Sequence, residues 1–169
     1  TICKALKIRI YPTQEQETLI LKTLGSCRFI YNQMLAEHIE VYEKLKDDRR
    51  SLYEYKYKTE KEYKAEYDWL YEVDSIALQQ SRIDLSMAYQ NFFKSCTGKR
   101  KGATGFPKFH KKGRKESYRT VITGSNIAID FETRKVKLPK LGWIPFRDQR
   151  CSMKGKLKQA TVSRTATGK

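Results

Sequence analysis

The sequence lacks a long apolar run. No stretch reaches the roughly 18 consecutive apolar residues that cross a membrane, and no signal-peptide pattern opens the chain. Only four cysteines occur, and none belongs to a C-x-x-C pair, so neither a zinc knuckle nor a disulfide framework is predicted. We therefore expect a cytoplasmic protein that has buried free thiols and no membrane partner.

Acidic residues are scarce in the carboxyl-terminal part. Residues 94–169 hold 21 Lys and Arg against four Asp and Glu, whereas residues 1–93 hold 14 against 15. The formal charge of +16 is therefore concentrated in one region of the chain. A local excess of this kind is typical of a surface that binds a polyanion such as nucleic acid, an anionic membrane or an acidic protein.

One strand and several helices are predicted in the first 93 residues. The stretch "ICKALKIRIYP" alternates apolar and basic side chains, as in a half-buried strand. A capping box of Thr13 and Gln16 begins a helix that we expect to end at Gly25, and a second helix is predicted from Ser26 to "KDDRR". His38 lies on the apolar face of this second helix, and we interpret it as a packed, hydrogen-bonded histidine rather than a metal ligand or catalytic group.

Two further helical segments follow. Residues 51–68 place five tyrosines among alternating charges, which predicts a solvated helix that covers a bundle, with a base-stacking surface as the alternative. The helix that begins near Ser75 has two apolar faces, so we expect it to be packed on two sides. The polar stripe between those faces is either a solvent face or a surface that reads base edges, and it comprises Gln79, Arg82, Ser86 and Gln90.

Short alternating runs separated by turn residues dominate the rest of the chain. They are "YRTVIT", "NIAIDF", "KVKLP", "WIPF" and "KLKQATVSRT", and they predict a small antiparallel sheet or barrel. The first strand stands alone before the helices. We therefore predict an α+β fold in which a helical bundle is inserted after the first strand, with boundaries near residues 11 and 111.

The segment between the helices and these strands is strongly basic. Gly98–Thr120, which we name the basic tract, carries nine Lys and Arg residues against one acid. Its cations can bind phosphates, and its rings at Phe106 and Phe109 can either stack on bases or form an apolar clasp between domains. Such a tract binds nucleic acid with strong salt dependence and little sequence choice.

Seven short motifs resemble a known family. "IRIYPTQEQ", "LGSCRFIYNQML", "ALQQS", "AYQNFFK", "GFPKF", "SYRT" and "KLPKLGWI" occur in the order and spacing of the amino-terminal half of TnpB, the RNA-guided DNA endonuclease of insertion sequences and a relative of compact type V CRISPR effectors. The resemblance implies an oligonucleotide-binding-like β-barrel, the wedge domain, at residues 1–10 and 111–169. It also implies a helical recognition domain at residues 11–110.

The same resemblance implies the partners and the contact residues. Guide RNA, target double-stranded DNA and the remainder of the parent polypeptide would be bound, and the protein would read a short motif that flanks the target. The residues that would face this motif are Ser75, Gln79, Arg82 and Thr123. Those that would contact the RNA or its backbone are Lys99, Arg100, Lys101, Phe106, Lys108, Phe109, Lys111, Lys112, Arg114, Lys115, Tyr118 and Arg119.

Catalytic residues are not predicted in this chain. The RuvC-type carboxylates that hold Mg²⁺ and the C-x-x-C pairs that hold a structural Zn²⁺ lie, in TnpB, beyond the region matched here, so both metals and DNA hydrolysis are implied only for a parent protein. Asp130 is followed by a turn-like sequence, and we interpret it as a hairpin aspartate rather than a metal ligand. Since the chain starts at Thr1, we expect it to be a piece of a larger protein. A nuclease-dead RNA-guided repressor and a stand-alone RNA-binding barrel protein remain alternatives.

Overall fold

Four α-helices and six short β-strands make up the computed structural model, which describes residues 4–113, 116–147 and 155–165. The helices are α1 (Gln14–Leu45), α2 (Arg49–Glu54), α3 (Glu60–Glu66) and α4 (Ser75–Cys96), and a 3-10 helix, Asp68–Glu72, precedes α4. The strands are β1 (Arg9–Ile10), β2 (Glu116–Val121), β3 (Ala128–Asp130), β4 (Lys135–Leu138), β5 (Gly142–Arg147) and β6 (Gln159–Arg164). This content confirms the predicted α+β class.

Helix α1 is one continuous element of 32 residues. The predicted capping box is present, because Thr13 Oγ1 accepts from the backbone N–H of Gln16 and Gln16 Oε1 accepts from that of Thr13. The predicted end at Gly25 is wrong. A glycine inside a helix costs only about 0.5–1 kcal/mol relative to alanine, and buried residues on both sides of Gly25, such as Leu24 and Cys27, hold the helix against the core.

The tyrosine-rich segment is not the single helix that we predicted. Its residues form α2, an extended stretch over 55–59, and α3. A second capping box causes the new start, since Glu62 accepts from the backbone N–H of Thr59 at 2.7 Å. Tyr63 is buried and Tyr53 is exposed, so the tyrosines of this segment do not share one face.

Helix α4 starts where the sequence predicts, and the side chain of Asp74 caps it by accepting from the backbone N–H of Ile76. Its apolar face is buried through Ala77, Leu78 and Leu85. The predicted second packed face is wrong, because Ile83 and Met87 are exposed. Thus α4 buries one side in the core, whereas the side that carries Ile83 and Met87 is exposed.

The strands form two separate antiparallel sheets. One has the order β1-β5-β4-β3, and β2 pairs with β6 in the other. The strand pattern predicted a sheet or a barrel, and the family resemblance implied an oligonucleotide-binding-like β-barrel. The barrel is not closed, because no hydrogen-bonded ladder joins the two sheets among the strands that the structure describes. The two-residue β1 and the three-residue β3 are too short to bridge both ends of a barrel.

The interpretation of Asp130 as a hairpin aspartate is confirmed. It ends β3, and its carboxylate accepts from the backbone N–H groups of Glu132 and Thr133 and from the Thr133 hydroxyl. These bonds lower the pKa of Asp130 and close the turn to β4.

All four helices lie between β1 and β2 in the chain, although β1 pairs with β5. The amide of Gln16 fastens α1 to this sheet, because its Nε2 donates to the carbonyl oxygens of Leu141 and Trp143 at 3.0 and 3.1 Å. On the other side, β2 packs on α4 and α1, which also pack on each other. Residues of helices and sheets therefore share one buried core that includes Ile30, Leu35, Leu78, Tyr118 and Ile144.

The continuity of α1 leads to a test at Gly25. A Cβ at this position would meet only the guanidinium of Arg28, at 3.9 Å. Gly25→Ala should therefore raise the free energy of unfolding by about 0.5–1 kcal/mol, because alanine loses less backbone entropy on folding. Urea denaturation measures this change.

Gly124 provides the matched control. Its surroundings are open, but its φ of +66° lies in the left-handed region, so Gly124→Ala should lower the free energy of unfolding by about 1 kcal/mol. A urea midpoint for Gly25→Ala below that of the unchanged chain would mean that the helix is interrupted at this residue.

Candidate nucleic-acid interface

The exposed part of the basic tract, residues 98–113, leads from the end of α4 towards β2. Its six cations are exposed, and none of them forms an ion pair within the described chain: Lys99, Arg100, Lys101, Lys108, Lys111 and Lys112. Many cations of the helices do have acidic partners, for example Lys22 with Glu72 at 2.6 Å. This segment therefore carries six positive charges in sixteen residues without an acidic partner among the described residues. Arg114 and Lys115 lie outside the described residues.

Side chains of α1 and α4 fix the path of this segment. The Asn32 side chain bonds both backbone groups of His110, accepting from the N–H at 2.8 Å and donating to the carbonyl oxygen at 2.9 Å. The His110 ring stacks on Tyr31 with centroids 3.8 Å apart and planes 8° from parallel. Ser95 Oγ, near the end of α4, accepts from the backbone N–H of Thr104 at 2.9 Å. The cations are therefore carried by an anchored loop.

The two rings of the tract differ in their surroundings. Phe106 contacts Tyr89 and Phe92 of α4 edge to face, with both centroid distances at 5.5 Å, and yet remains exposed on its outer side. Phe109 is also exposed. Pro107 between them is buried, so it fixes the backbone that separates the rings.

The strand end of the tract lies inside the protein. Tyr118 is buried in the shared core, and its burial raises the pKa of its phenol. Arg119 is half-buried and donates to Asp84 of α4 at 2.7 Å. A base cannot stack on Tyr118 in this conformation, so the cations at residues 98–113 are the accessible part of the predicted RNA contact.

The predicted reading stripe of α4 is exposed, and α3 supports it at two points. Lys64 donates to the hydroxyl of Ser75, and Glu60 accepts from Arg82 Nε at 2.8 Å. Gln79 lies between these two positions on the stripe and is exposed. The structure therefore leaves the Gln79 amide accessible while Ser75 and Arg82 are held.

Lys64 is a functional candidate that the sequence analysis missed. Its side chain is buried and packs over the Tyr71 ring at 5.1 Å. Burial, with a smaller contribution from Lys140, lowers the pKa of the Lys64 ammonium. The sequence offered one signal for this role. Lys64 lies one helical turn after Glu60, so the two side chains share a face of α3 and can both reach α4.

Thr123 lies in the turn that follows β2 and is exposed. Its backbone N–H donates to Asn126 Oδ1 at 2.7 Å, and Asn126 Nδ2 in turn donates to the carbonyl oxygen of Val121. No hydrogen bond joins Thr123 to α4 in the described residues. The turn is therefore closed by its own hydrogen bonds, and the approach of Thr123 to the stripe stays a prediction.

The other groups with reactive side chains have structural surroundings. Cys27 is a buried free thiol, and burial raises its pKa to about 12. Cys96 is free but exposed, so the expectation of a buried thiol is wrong at this position, and Cys3 and Cys151 lie outside the described residues. Within the described ranges, no helix has both the length and the apolar character that crossing a bilayer requires.

Comparison with known proteins places this chain among transposon-associated proteins. A family model described as a helix-turn-helix domain, HTH_OrfB_IS605, matches residues 2–47. In the structure, the described part of this region is β1 followed by the uninterrupted α1.

Three relatives give the extent of the similarity. The protein named "Putative RNA-guided DNA endonuclease InsQ", from Escherichia coli (strain K12), is 33% identical over 168 residues, which cover 96% of this chain and 38% of that protein. A Streptomyces pristinaespiralis protein whose name gives the same activity is 35% identical over 92 residues, or 53% of this chain and 22% of that protein. "Virulence protein VsdF" of Salmonella dublin is 34% identical over 116 residues, which cover 64% of this chain and 93% of VsdF.

The chain thus spans less than two fifths of the length of InsQ, while nearly all of its own residues take part in that match. The seven motifs lie within this match, from Ile8 before the first strand to Ile144 of β5. On this combined evidence, the chain belongs to the TnpB family.

Proposed function

We propose that this chain is the guide-RNA-binding and target-DNA-binding portion of an RNA-guided DNA endonuclease of the TnpB type. The observation that carries the proposal is the set of six exposed, unpaired cations on an anchored segment. Phosphates attract such cations, and their fixed positions reduce the entropy lost on binding. Relatives named as RNA-guided DNA endonucleases support the identity of the polyanion.

In this proposal, the helical and sheet parts have separate roles. Residues 11–110 form the recognition domain, and residues 1–10 with 111–169 form the wedge domain. The guide RNA lies along the basic tract, where contacts to phosphates give affinity but no sequence choice. The stripe of α4 faces the short DNA motif that flanks the target, and the exposed amide of Gln79 makes a base contact there. DNA cleavage and the metals that it needs are assigned to a nuclease region outside this chain.

The first test concerns the tract. In the 169-residue chain, Lys99, Arg100, Lys101, Lys111 and Lys112 are changed together to Gln, and RNA binding is measured over a range of salt concentrations. Affinity should fall by a similar factor for unrelated sequences, and the slope of log K against log salt should flatten by about 0.7 per lost contact to single-stranded RNA. Fluorescence anisotropy with labelled RNA measures both quantities.

A matched control removes the same number of charges elsewhere. Lys22, Lys44, Lys46 and Arg50 are paired with acids and Lys61 is exposed on α3, so changing these five to Gln lowers the net charge equally. RNA binding by this control variant should keep most of the slope of log K against log salt. Equal slopes for both five-residue variants would mean that RNA binding depends on net charge alone and would contradict a role for the tract.

The second test concerns sequence choice by Gln79. In the chain bound to guide RNA, Gln79→Ala should leave RNA affinity and the melting temperature unchanged. It should reduce discrimination at one position of the flanking motif by about 1–3 kcal/mol, the usual contribution of a good base contact. Competition binding with duplexes that vary one base pair at a time measures this discrimination.

Gln90→Ala is the control, because Gln90 is an exposed glutamine on the same stripe, three turns further along α4. It should leave motif preference unchanged. If Gln79→Ala weakens all duplexes by one factor, Gln79 contacts the DNA backbone only. If it lowers the melting temperature with motif preference intact, Gln79 is a structural amide.

A further inference from the structure

A large aromatic cavity lies beside the basic tract, and its wall includes Phe106 of the tract as well as Arg82 and Ser86 of the polar stripe. It has a volume of about 940 Å³ and is bounded by α1, the extended segment 55–59 and α4, with Phe106 of the tract in its wall. Ring side chains dominate the lining, among them His38, Tyr57, Tyr89 and Phe93. A cavity of this size can hold a nucleoside-sized molecule.

Four of these rings form a near-parallel series. Tyr57 and His38 stack with centroids 3.7 Å apart and planes 3° from parallel. Tyr89 follows at 5.1 Å and 28° from His38, and Phe93 follows at 6.3 Å and 22° from Tyr89. Phe93, at the end of the series, is 58% exposed. The stack therefore ends in a ring to which another flat molecule can be added.

The charged side chains in the lining are all paired with a charge of opposite sign, so phosphate-binding charge has to come from the basic tract. Lys58 and Arg82 pair with Glu66 and Glu60, and the lining acid Glu43 pairs with Lys46 at 2.9 Å. Phe93 lies in the last turn of α4, directly before the segment that carries Lys99, Arg100 and Lys101. Phe106, at the cavity wall, precedes Lys108 by two residues. Cations of the basic tract therefore follow two of the lining rings within a few residues in the sequence.

We propose that this cavity binds an unstacked nucleobase of the single-stranded nucleic acid whose phosphates lie on the basic tract. The proposal rests on the proposed function and adds to it a site that captures a base. A base has two aromatic faces and can extend the ring series at Phe93, while its phosphates reach the neighbouring cations. Every base has such a face, so this contact selects an extruded position in the strand rather than a particular base.

The experiment uses the 169-residue chain and a ten-nucleotide RNA in which each position in turn is made abasic. Loss of the base at one position should weaken binding by roughly tenfold, whereas loss at the others should have little effect. Phe93→Ala should weaken the intact RNA by a similar factor and abolish the difference between positions. The salt slope should stay the same, because no phosphate contact is lost.

Two further variants make the result specific. Phe93→Leu keeps an apolar side chain without the π face, so it should behave like Phe93→Ala if stacking is the interaction. Tyr53→Ala removes a ring that is 92% exposed on α2, outside the cavity, and should bind like the unchanged chain. Melting temperatures within a degree or two of the original chain confirm that each variant is folded.

Three outcomes overturn the proposal. Equal effects of all abasic positions, with Phe93→Ala indistinguishable from Tyr53→Ala, would leave salt-dependent RNA binding in place and reject the cavity as a base site. Full binding by Phe93→Leu would indicate an aliphatic occupant such as a peptide. Absence of salt-dependent RNA binding by the unchanged chain would reject the proposed function itself.

Discussion

The burial of β2 against α1 and α4 is the interaction on which the rest of the structure depends. Tyr118 and Thr120 point into the core from this strand, and an ion pair at its edge joins it to each helix, Arg28 with Glu116 and Arg119 with Asp84. The segment between α4 and β2 starts at the end of α4 and ends at a strand that packs on α1 and α4. Both of its ends therefore lie close to the helices. The Asn32 side chain then fixes its middle. Core packing thus decides where the cations of the tract are displayed.

The distribution of ion pairs explains why this surface stays positive. Acids and bases are nearly equal in number in residues 1–93, and many of the helical cations find partners within one or two turns or on the adjacent element. The tract has no acid between Gly98 and Lys115, and the neighbouring acids already have partners, as Asp84 has in Arg119. The positive electrostatic potential of the tract is therefore not neutralised by acidic side chains of the tract itself. An anion that binds there reduces the mutual repulsion of the cations.

Local signals predicted much of this structure, and long-range contacts account for what was missed. The capping box of Thr13 and Gln16, the turn at Asp130 and the alternating strands each depend on residues a few positions apart, so the sequence displays them directly. The passage of α1 through Gly25 depends on tertiary burial, which outweighs a modest local preference. The pairing of Asn32 with His110 joins residues 78 positions apart, and the ring series assembles side chains from three elements. No local pattern reports such contacts. The packing of His38 was correctly inferred, but the described residues contact it through the rings of Tyr57 and Tyr89 and not through the expected hydrogen bond.

The continuity of α1 has a mechanical consequence. At 1.5 Å per residue, its 32 residues form a rod about 48 Å long. One end is fastened to the sheet through Gln16, and the other carries the surface on which the Tyr55 and Tyr63 hydroxyls donate to Glu37. A pair of helices joined by a turn could bend at that turn and change the distance between its ends. An unbroken helix has no such turn at which to bend. A displacement imposed at the sheet is therefore transmitted to α2 and α3 as a rotation of the whole rod.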